Sequence, residues 1–158
     1  MRHEFLAVAF FASICPKFAF CDTDGRLERC EPYRATVERL LRENGVSDDY
    51  YYLMVAESGC RESAKSSKGA LGFWQMMPAT GRAHGCDDLR DLECATNAAA
   101  SYIMHLSRRF SGDDIIAAYN MGGHNYSRIG MTAEARGLIQ TVRKLKKQDE
   151  ERCLKTDM

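Results

Sequence analysis

The sequence predicts an all-α fold with at most a small β-hairpin near residues 63 to 74. Three observations support this prediction. Apolar residues recur at helical spacing along most of the chain, helix start and stop signals flank these segments, and one stretch rich in Ser and Gly interrupts them. The chain has 158 residues, of which 45% are hydrophobic and 28% charged, so it is expected to form one domain around one core.

The N-terminal segment has the composition of a targeting sequence. Residues 5 to 14 form an apolar stretch, interrupted by Ser13 alone, behind a short, weakly basic start, and this stretch is too short to cross a membrane as a helix. We interpret residues 1–21 as a signal peptide cleaved near Ala19 to Cys21, which predicts secretion across the inner membrane into the periplasm. A retained anchor and a buried N-terminal helix are the alternatives.

The first helix of the mature chain is expected to begin at Pro32, after a loose polar segment at residues 22 to 31. Asn44 and Gly45 provide its C-terminal stop signal. A stripe of apolar side chains defines the face that it buries. These side chains are Tyr33, Val37, Leu40 and Leu41.

The second helix is predicted to end at a carboxylate. Ser47-Asp48-Asp49 offers an N-cap, and the run from Tyr50 to Ala56 is apolar throughout before the sequence changes abruptly to Glu57-Ser58-Gly59. The side chain of Glu57 is therefore expected to lie at the edge of the hydrophobic core. The tyrosines of this run either belong to the core or line a groove.

The remaining chain reads as a loop followed by further helices. Lys65 to Gly72 is expected to be loop or short strand because Ser and Gly punctuate it, and Pro78 opens a short helix that breaks by Gly85. Three longer helices follow. They are expected at Ala95 to Phe110, from the cap Ser111-Gly112-Asp113 to the stop Gly122-Gly123, and from Thr132 to residue 147, before a charged tail at residues 148–158.

The seven cysteines agree with an oxidising compartment. Cys86 and Cys94 flank a seven-residue segment, and a disulfide between them is expected to contribute roughly 2 to 3 kcal/mol. Cys30 and Cys153 are candidates for a bond between the ends of the domain, although spacing does not fix the connectivity. For Cys60, a buried thiol and a disulfide are equally compatible with the sequence. Cys15 would leave with the signal peptide.

Charge and ligand spacing argue against nucleic acids and metals. Lys plus Arg equals Asp plus Glu at 22 each, so no strongly basic surface is expected. The sequence has no Cys-x-x-Cys motif and no histidines at ligand spacing to the cysteines, and we expect no metal and no cofactor. One local basic cluster is interpreted as a solvated face at the end of the last helix. It comprises Arg143, Lys144, Lys146 and Lys147.

Three motifs stand in order along the chain. They are Glu57-Ser58, the stretch from Ser66 through Gly69-Ala70-Leu71-Gly72-Phe73-Trp74-Gln75-Met76-Met77-Pro78-Ala79-Thr80, and Ala117-Ala118-Tyr119-Asn120-Met121-Gly122. Together they resemble the motif set of family 1 lytic transglycosylases. The stretch from Gly72 to Gly85 is most similar to the membrane-bound murein transglycosylase D branch. The resemblance implies a lysozyme-like helical catalytic domain at residues 30–147 that acts on the glycan strands of peptidoglycan.

The position of Glu57 suits a general acid. Cleaving a glycosidic bond near neutral pH requires a carboxylic acid whose pKa is raised. Partial burial after an apolar run disfavours the charged form, and the negative end of a helix acts in the same direction. The resemblance implies that Glu57 alone serves as acid and base, so that the product carries a 1,6-anhydro end. No motif surrounds the carboxylates nearest in sequence, which are Glu62, Asp87, Asp88 and Asp91.

The resemblance also implies substrate-binding roles for five residues. They are Ser66, Gln75, Met77, Tyr119 and Asn120. Tyr119 would donate a hydrogen bond to Glu57 or to the substrate, and Met77 has a core position as its alternative. Ser58 is expected to hold the turn rather than touch sugar, whereas Trp74 is either core or a stacking face for sugar.

The sequence departs from the family at Met121, Gly123 and Cys60, which replace a small residue, a glutamate and an apolar residue. These changes bear on groove width and substrate length. The layout resembles small transglycosylases that open the wall for secretion or conjugation machinery, and a monomer is expected. A lysozyme-like hydrolase and a catalytically idle glycan-binding or assembly module are the competing functions.

Overall fold

A computed structural model describes residues 25–156, and within them the fold is helical. No strand occurs in this range, where the expected hairpin is reduced to two isolated antiparallel bridges, Lys65 with Leu71 and Leu71 with Met76. The all-α prediction is therefore confirmed. The elements are α1 (Arg26–Glu43), a 3-10 turn (Asp48–Tyr50), α2 (Tyr51–Ser58), α3 (Pro78–Ala83), α4 (Leu92–Ser107), α5 (Asp113–Met121), α6 (Gly123–Ile129) and α7 (Ala133–Thr156).

Helix α1 begins at Arg26, ahead of the expected start at Pro32, so the prediction of a loose segment through residue 31 is wrong from Arg26 onward. Leu27 and Cys30 are buried on this first part of the helix, and Cys30 is covalently bonded to Cys60. Pro32 lies inside the helix, where a proline costs about 3 kcal/mol. Burial and the disulfide offset this cost.

Helix α2 lies at the centre of the core and packs against α1 and α7. Tyr51, Leu53, Met54 and Val55 have no accessible surface, and Tyr52 is 6% exposed. Because almost every side of this helix is covered, its sequence reads as a continuous apolar run rather than as a stripe. The tyrosines Tyr51 and Tyr52 therefore belong to the core. Ser47 accepts a hydrogen bond from the backbone N–H of Asp49, at the start of the 3-10 turn that leads into α2.

A buried polar cluster joins the two ends of the described chain. Asp149 on α7 is 1% exposed and accepts hydrogen bonds from Arg34 on α1, at 2.5 Å, and from the hydroxyl of Tyr52 on α2, at 2.8 Å. Helix α7 continues to Thr156, so the segment predicted as a charged tail from residue 148 is helical as far as that residue. The domain boundaries at residues 30 and 147 stay predictions.

Helix α6 was not predicted from the sequence. Helix α5 stops at Met121, as the Gly122-Gly123 pair predicts, but the chain enters another helix at Gly123. None of its residues is fully buried, so it shows no apolar stripe. It is held by the ring of Tyr126, which lies 5.3 Å from that of Phe110, and by a hydrogen bond from the Tyr126 hydroxyl to Asp114.

Two disulfides occur in the described chain. The predicted bond between Cys86 and Cys94 is present. The pairing of Cys30 with Cys153 is wrong, because Cys30 bonds to Cys60 next to the end of α2. This bond also resolves the two alternatives for Cys60.

The predictions on residues 1–21 and on Cys15 lie outside the described residues. Between residues 25 and 156, no helix combines the length and the apolar composition needed to cross a bilayer. In the same range no cluster of three or more His, Cys, Asp or Glu side chains is arranged to hold a metal ion.

Candidate active site

Glu57 lies in the last turn of α2, two residues before Gly59, which ends the helix in a left-handed conformation with φ 57°. Its side chain emerges from the core and is only partly accessible. Burial and, as a smaller cause, the negative charge of Glu134 together raise the pKa of Glu57 to about 7. A carboxyl group with this pKa is substantially protonated near neutral pH and can act as a general acid.

The turn after Glu57 is fixed by Ser58. The Ser58 hydroxyl donates to the carbonyl of Phe73 at 2.6 Å and accepts from the backbone N–H of Cys60 at 3.0 Å. Ser58 is 5% exposed and both of its hydrogen bonds are internal. It therefore holds the turn, as predicted, and ties the end of α2 to the loop that carries Gln75.

Ser66 closes a tight turn in that loop. Its hydroxyl accepts from the backbone N–H of Ala70 at 3.0 Å, and its own N–H donates to the Ala70 carbonyl at 3.0 Å. The side chain is half-buried. In this structure, the hydrogen bonds of Ser66 stabilise the conformation of the loop.

Gln75 has a left-handed backbone with φ 47°, which is uncommon for a residue other than glycine. Its side-chain amide donates to the carbonyl of Gly72 at 2.9 Å and to that of Ala64 at 3.2 Å. These bonds fold the loop back on itself. Strained backbone of this kind is characteristic of functional sites, where the surrounding contacts hold it in place.

Met77 and Trp74 lie in opposite environments. Met77 is 45% exposed, so the alternative that placed it in the core is wrong. Trp74 has no accessible surface, and its indole N–H donates to the Thr96 hydroxyl at 3.0 Å. Trp74 is thus a core residue and offers no stacking face.

Tyr119 and Asn120 come from the last turn of α5. The Tyr119 hydroxyl donates to the carbonyl of Trp74 at 2.9 Å, which is the donor that this buried carbonyl needs. The expected donation to Glu57 is therefore not made in this structure. Burial raises the pKa of Tyr119 well above its ordinary value, and the charge of Glu57 contributes, so the two groups interact electrostatically. Asn120 is half-buried.

The site thus joins Glu57, the loop of Gln75 and the end of α5 through short internal contacts. A family model, the Transglycosylase SLT domain, matches residues 37–141, which is more than half of the chain and includes all three motifs. The chain belongs to this family. The lysozyme-like helical architecture expected from the resemblance is confirmed for this SLT domain.

Curated relatives of the SLT domain include enzymes that act on murein. The chain is 32% identical over 117 residues to the membrane-bound lytic murein transglycosylase D of Escherichia coli K12, covering 69% of this chain and 26% of the relative. It is 33% identical over 120 residues to the peptidoglycan transglycosylase gp16 of Escherichia phage T7, covering 70% of this chain and 9% of the relative. A putative tributyltin chloride resistance protein from Alteromonas sp. M-1 is 30% identical over 102 residues, or 60% of this chain and 49% of the relative. The chain therefore spans about a quarter of the murein transglycosylase D length.

Glu134 was not predicted from the sequence of the SLT domain. This residue lies in the first turn of α7, where its carboxylate pairs with the Lys68 ammonium at 2.8 Å and still acts on Glu57. No motif surrounds Glu134, and only the fold brings it near α2. Two of the carboxylates nearest Glu57 in sequence instead accept hydrogen bonds from backbone N–H groups. Asp91 accepts from the N–H of Cys94 at 2.7 Å and Asp88 from that of Arg90 at 3.0 Å.

Proposed function

We propose that this protein is a peptidoglycan lytic transglycosylase that uses Glu57 as its single general acid and base. One observation carries the proposal. The Glu57 carboxyl group stands at the end of a buried helix with its pKa raised to about 7, so it can exist as acid and as base near neutral pH. Membership of the SLT family and the names of the two murein and peptidoglycan transglycosylase relatives support the same activity.

The reaction follows from one proton carried by Glu57. Protonated Glu57 gives its proton to the oxygen between N-acetylmuramic acid and N-acetylglucosamine, and the bond from that oxygen to C1 of the muramic acid breaks. The acetamido group of the same sugar stabilises the positive charge that develops at C1. Ionised Glu57 then takes the proton from the 6-hydroxyl, whose oxygen bonds to C1. The product is a 1,6-anhydromuramic end, formed without water.

The surrounding residues support this reaction in two ways. Ser66 and Gln75 shape, through their internal hydrogen bonds, the loop that Ser58 ties to the end of α2. We propose that Met77, which is exposed, and Asn120, which is half-buried, contact the sugar directly. Tyr119 contributes its buried ring and the hydrogen bond to the Trp74 carbonyl, which fixes the end of α5 against the loop.

The direct test is a digest of purified peptidoglycan analysed by mass spectrometry. We expect anhydro ends from the wild type and none from Glu57→Gln. Glu62→Gln is the matched control, because Glu62 is an exposed carboxylate in the same part of the chain, and it should digest like the wild type. Reducing ends in place of anhydro ends would instead indicate a hydrolase. Equal digestion by Glu57→Gln would show that Glu57 is not the general acid, and no digestion by the wild type would favour a non-enzymatic glycan-binding module.

We further propose that the protein acts in the periplasm as a monomer, and that it serves a secretion or conjugation apparatus. The small size of the catalytic domain motivates the last proposal by analogy alone. Fractionation of cells, gel filtration and cross-linking to envelope proteins test the three statements separately. Recovery in the cytoplasm, a dimer, or the absence of any apparatus component among the cross-linked proteins would contradict them one by one.

A further inference from the structure

A cavity of about 350 Å³ adjoins the end of α2 and has a strongly basic lining. The residues that line it come from the start of α1 and from the turn that follows Glu57. Glu57 is the acidic residue among them. The lining residues are Arg26, Arg29, Ala56, Glu57, Ser58, Gly59 and Arg61.

The side chain of Arg29 is held at this cavity by a hydrogen bond to Gly59 and by close packing against it. Its Nε donates to the Gly59 carbonyl at 2.7 Å, and a Cβ added at Gly59 would come within 2.8 Å of its Nη2. That Nη2 is buried and has no hydrogen-bond partner among the described residues. An unmade hydrogen bond on a buried cationic group costs free energy, which an anionic ligand oxygen would recover.

Arg61 lies on the opposite chain segment of the lining and is exposed. Some exposed arginines pair with carboxylates, for example Arg39 with Glu43 and Arg143 with Asp113, whereas others, such as Arg108, have no carboxylate within 4 Å among the described residues. The Arg61 side chain makes no such pair in the part of the chain that the structure describes. Its guanidinium is therefore available to a ligand, and its fork geometry matches a carboxylate.

We propose that this cavity binds a carboxylate of the stem peptide carried by the muramic acid that Glu57 cleaves. This inference rests on the proposed function, because the cleaved sugar defines which group lies next to Glu57. The muramic acid lactoyl group extends into a peptide with free carboxylates, and the volume suits a short peptide segment rather than a point anion. Arg29 and Arg61 would hold the carboxylate from two sides.

The location couples substrate recognition to acid catalysis. An anion bound beside Glu57 disfavours ionisation of that carboxyl and keeps it protonated until the glycosidic oxygen takes the proton. Arg26, which donates to the Ala56 carbonyl at 3.3 Å, adds a third guanidinium to the lining and attracts the same ligand carboxylate. Glycan strands that carry their stem peptides would then be better substrates than bare strands.

The experiment compares the rates of cleavage of two substrates. One is glycan strands with intact stem peptides, and the other is the same strands stripped of peptide by an amidase. We expect the wild type to favour the intact strands, and the ratio of the two rates to fall about fivefold in Arg61→Gln, since this is the size of one solvent-exposed ion pair. Arg108→Gln, which removes an exposed arginine from the end of α4, is the control and should keep the wild-type ratio.

Intact strands whose peptide carboxyls have been converted to amides should behave like stripped strands. A wild-type ratio near one, an unchanged ratio in Arg61→Gln, or full preference for the amidated strands would each overturn the inference. If no strand is cleaved at all, the proposed function fails, and calorimetric binding of a soluble disaccharide-peptide to the Glu57→Gln protein then decides. About fivefold weaker binding when Arg61→Gln is added supports the carboxylate site, and equal binding rejects it.

Discussion

The raised pKa of Glu57 has two physical sources, burial and the carboxylate of Glu134. In the proposed reaction the leaving oxygen receives its proton from protonated Glu57, so turnover should fall as the pH rises through about 7. Glu134→Gln removes the neighbouring negative charge, which lowers the pKa of Glu57. We therefore expect the alkaline limb of the profile of kcat/KM against pH to move to lower pH.

Glu62→Gln serves as the control for this measurement, because the charge it removes does not contribute to the pKa of Glu57. Its profile should match that of the wild type. A limb that stays in place in Glu134→Gln would show that Glu134 does not act on the catalytic proton.

Glu57 and Glu134 also show what the sequence can and cannot predict about the site. Glu57 was identifiable because a buried apolar run ends at it and a motif follows. Glu134 acts across space, from the start of α7, and Lys68 reaches it from the loop of Ser66. Likewise, the motif predicted that Tyr119 belongs to the site, but its hydrogen bond to the Trp74 carbonyl depends on how the loop folds.

The loop that carries Gln75 packs closely against the segment that precedes α4. Gly72 has φ +71°, and a Cβ added there would lie 1.7 Å from the carbonyl oxygen of Leu89. Gly72→Ala must therefore displace backbone on one side or the other. We expect a loss of roughly 2 to 4 kcal/mol in the free energy of unfolding, measured in urea, together with a strong loss of digestion.

Gly137→Ala is the matched control for this substitution. Gly137 lies within α7, and an added Cβ meets nothing within 4 Å. Alanine is the better helix former, so this variant should gain about 0.5 to 1 kcal/mol. A Gly72→Ala protein as stable as the wild type would contradict the close fit of the loop.

The Cys30–Cys60 disulfide fastens α1 to the turn that follows Glu57. It closes a loop with a sequence separation of 30 residues, against 8 for Cys86–Cys94. On the chain-entropy model, replacing both cysteines by alanine should cost about 3 to 4 kcal/mol for the first pair and about 2 to 3 kcal/mol for the second. The loss of peptidoglycan digestion should also be larger in the first variant, because Cys60 lies in the turn that follows Glu57.

Urea unfolding of the two double variants, each compared with the wild type in its disulfide-bonded form, checks this order. A larger loss of activity from the Cys86–Cys94 variant would contradict it.

The helices that the sequence predicted are those that bury a stripe or a run of apolar residues. Helix α4 is an example, since it buries Ala95, Ala99 and Ile103 together. The helical segments that were not predicted, the start of α1 and the whole of α6, show no such stripe. The first turns of α1 are mostly polar around Leu27, and α6 buries no residue completely, so neither gives a periodic signal. Both are held by contacts with distant parts of the chain.

Contacts between the first and last helices of the described chain stabilise the fold. Asp149 on α7 is buried and paired with Arg34 on α1, while Tyr52 on α2 donates to the same carboxylate. Removing one partner of a buried pair leaves the other without compensation. Asp149→Asn should therefore lower the free energy of unfolding by about 3 kcal/mol.

Glu150→Gln, one residue along the same helix, removes an exposed charge and should change stability by less than about 0.5 kcal/mol. A chain ending at Lys147 should be destabilised at least as much as Asp149→Asn. If the shortened chain is as stable as the full one in urea, the segment from residue 148 onward is a dispensable tail after all.

The central claim is that Glu57 first donates a proton to the glycosidic oxygen and then accepts one from the 6-hydroxyl, so that no water enters the product. The most direct measurement is digestion of peptidoglycan in water enriched in oxygen-18, followed by mass spectrometry of the new sugar ends. The mechanism predicts anhydromuramic ends without the heavy isotope in the wild type, and no new ends in Glu57→Gln. Reducing ends that carry oxygen-18 would contradict it, because they would show that water attacks C1.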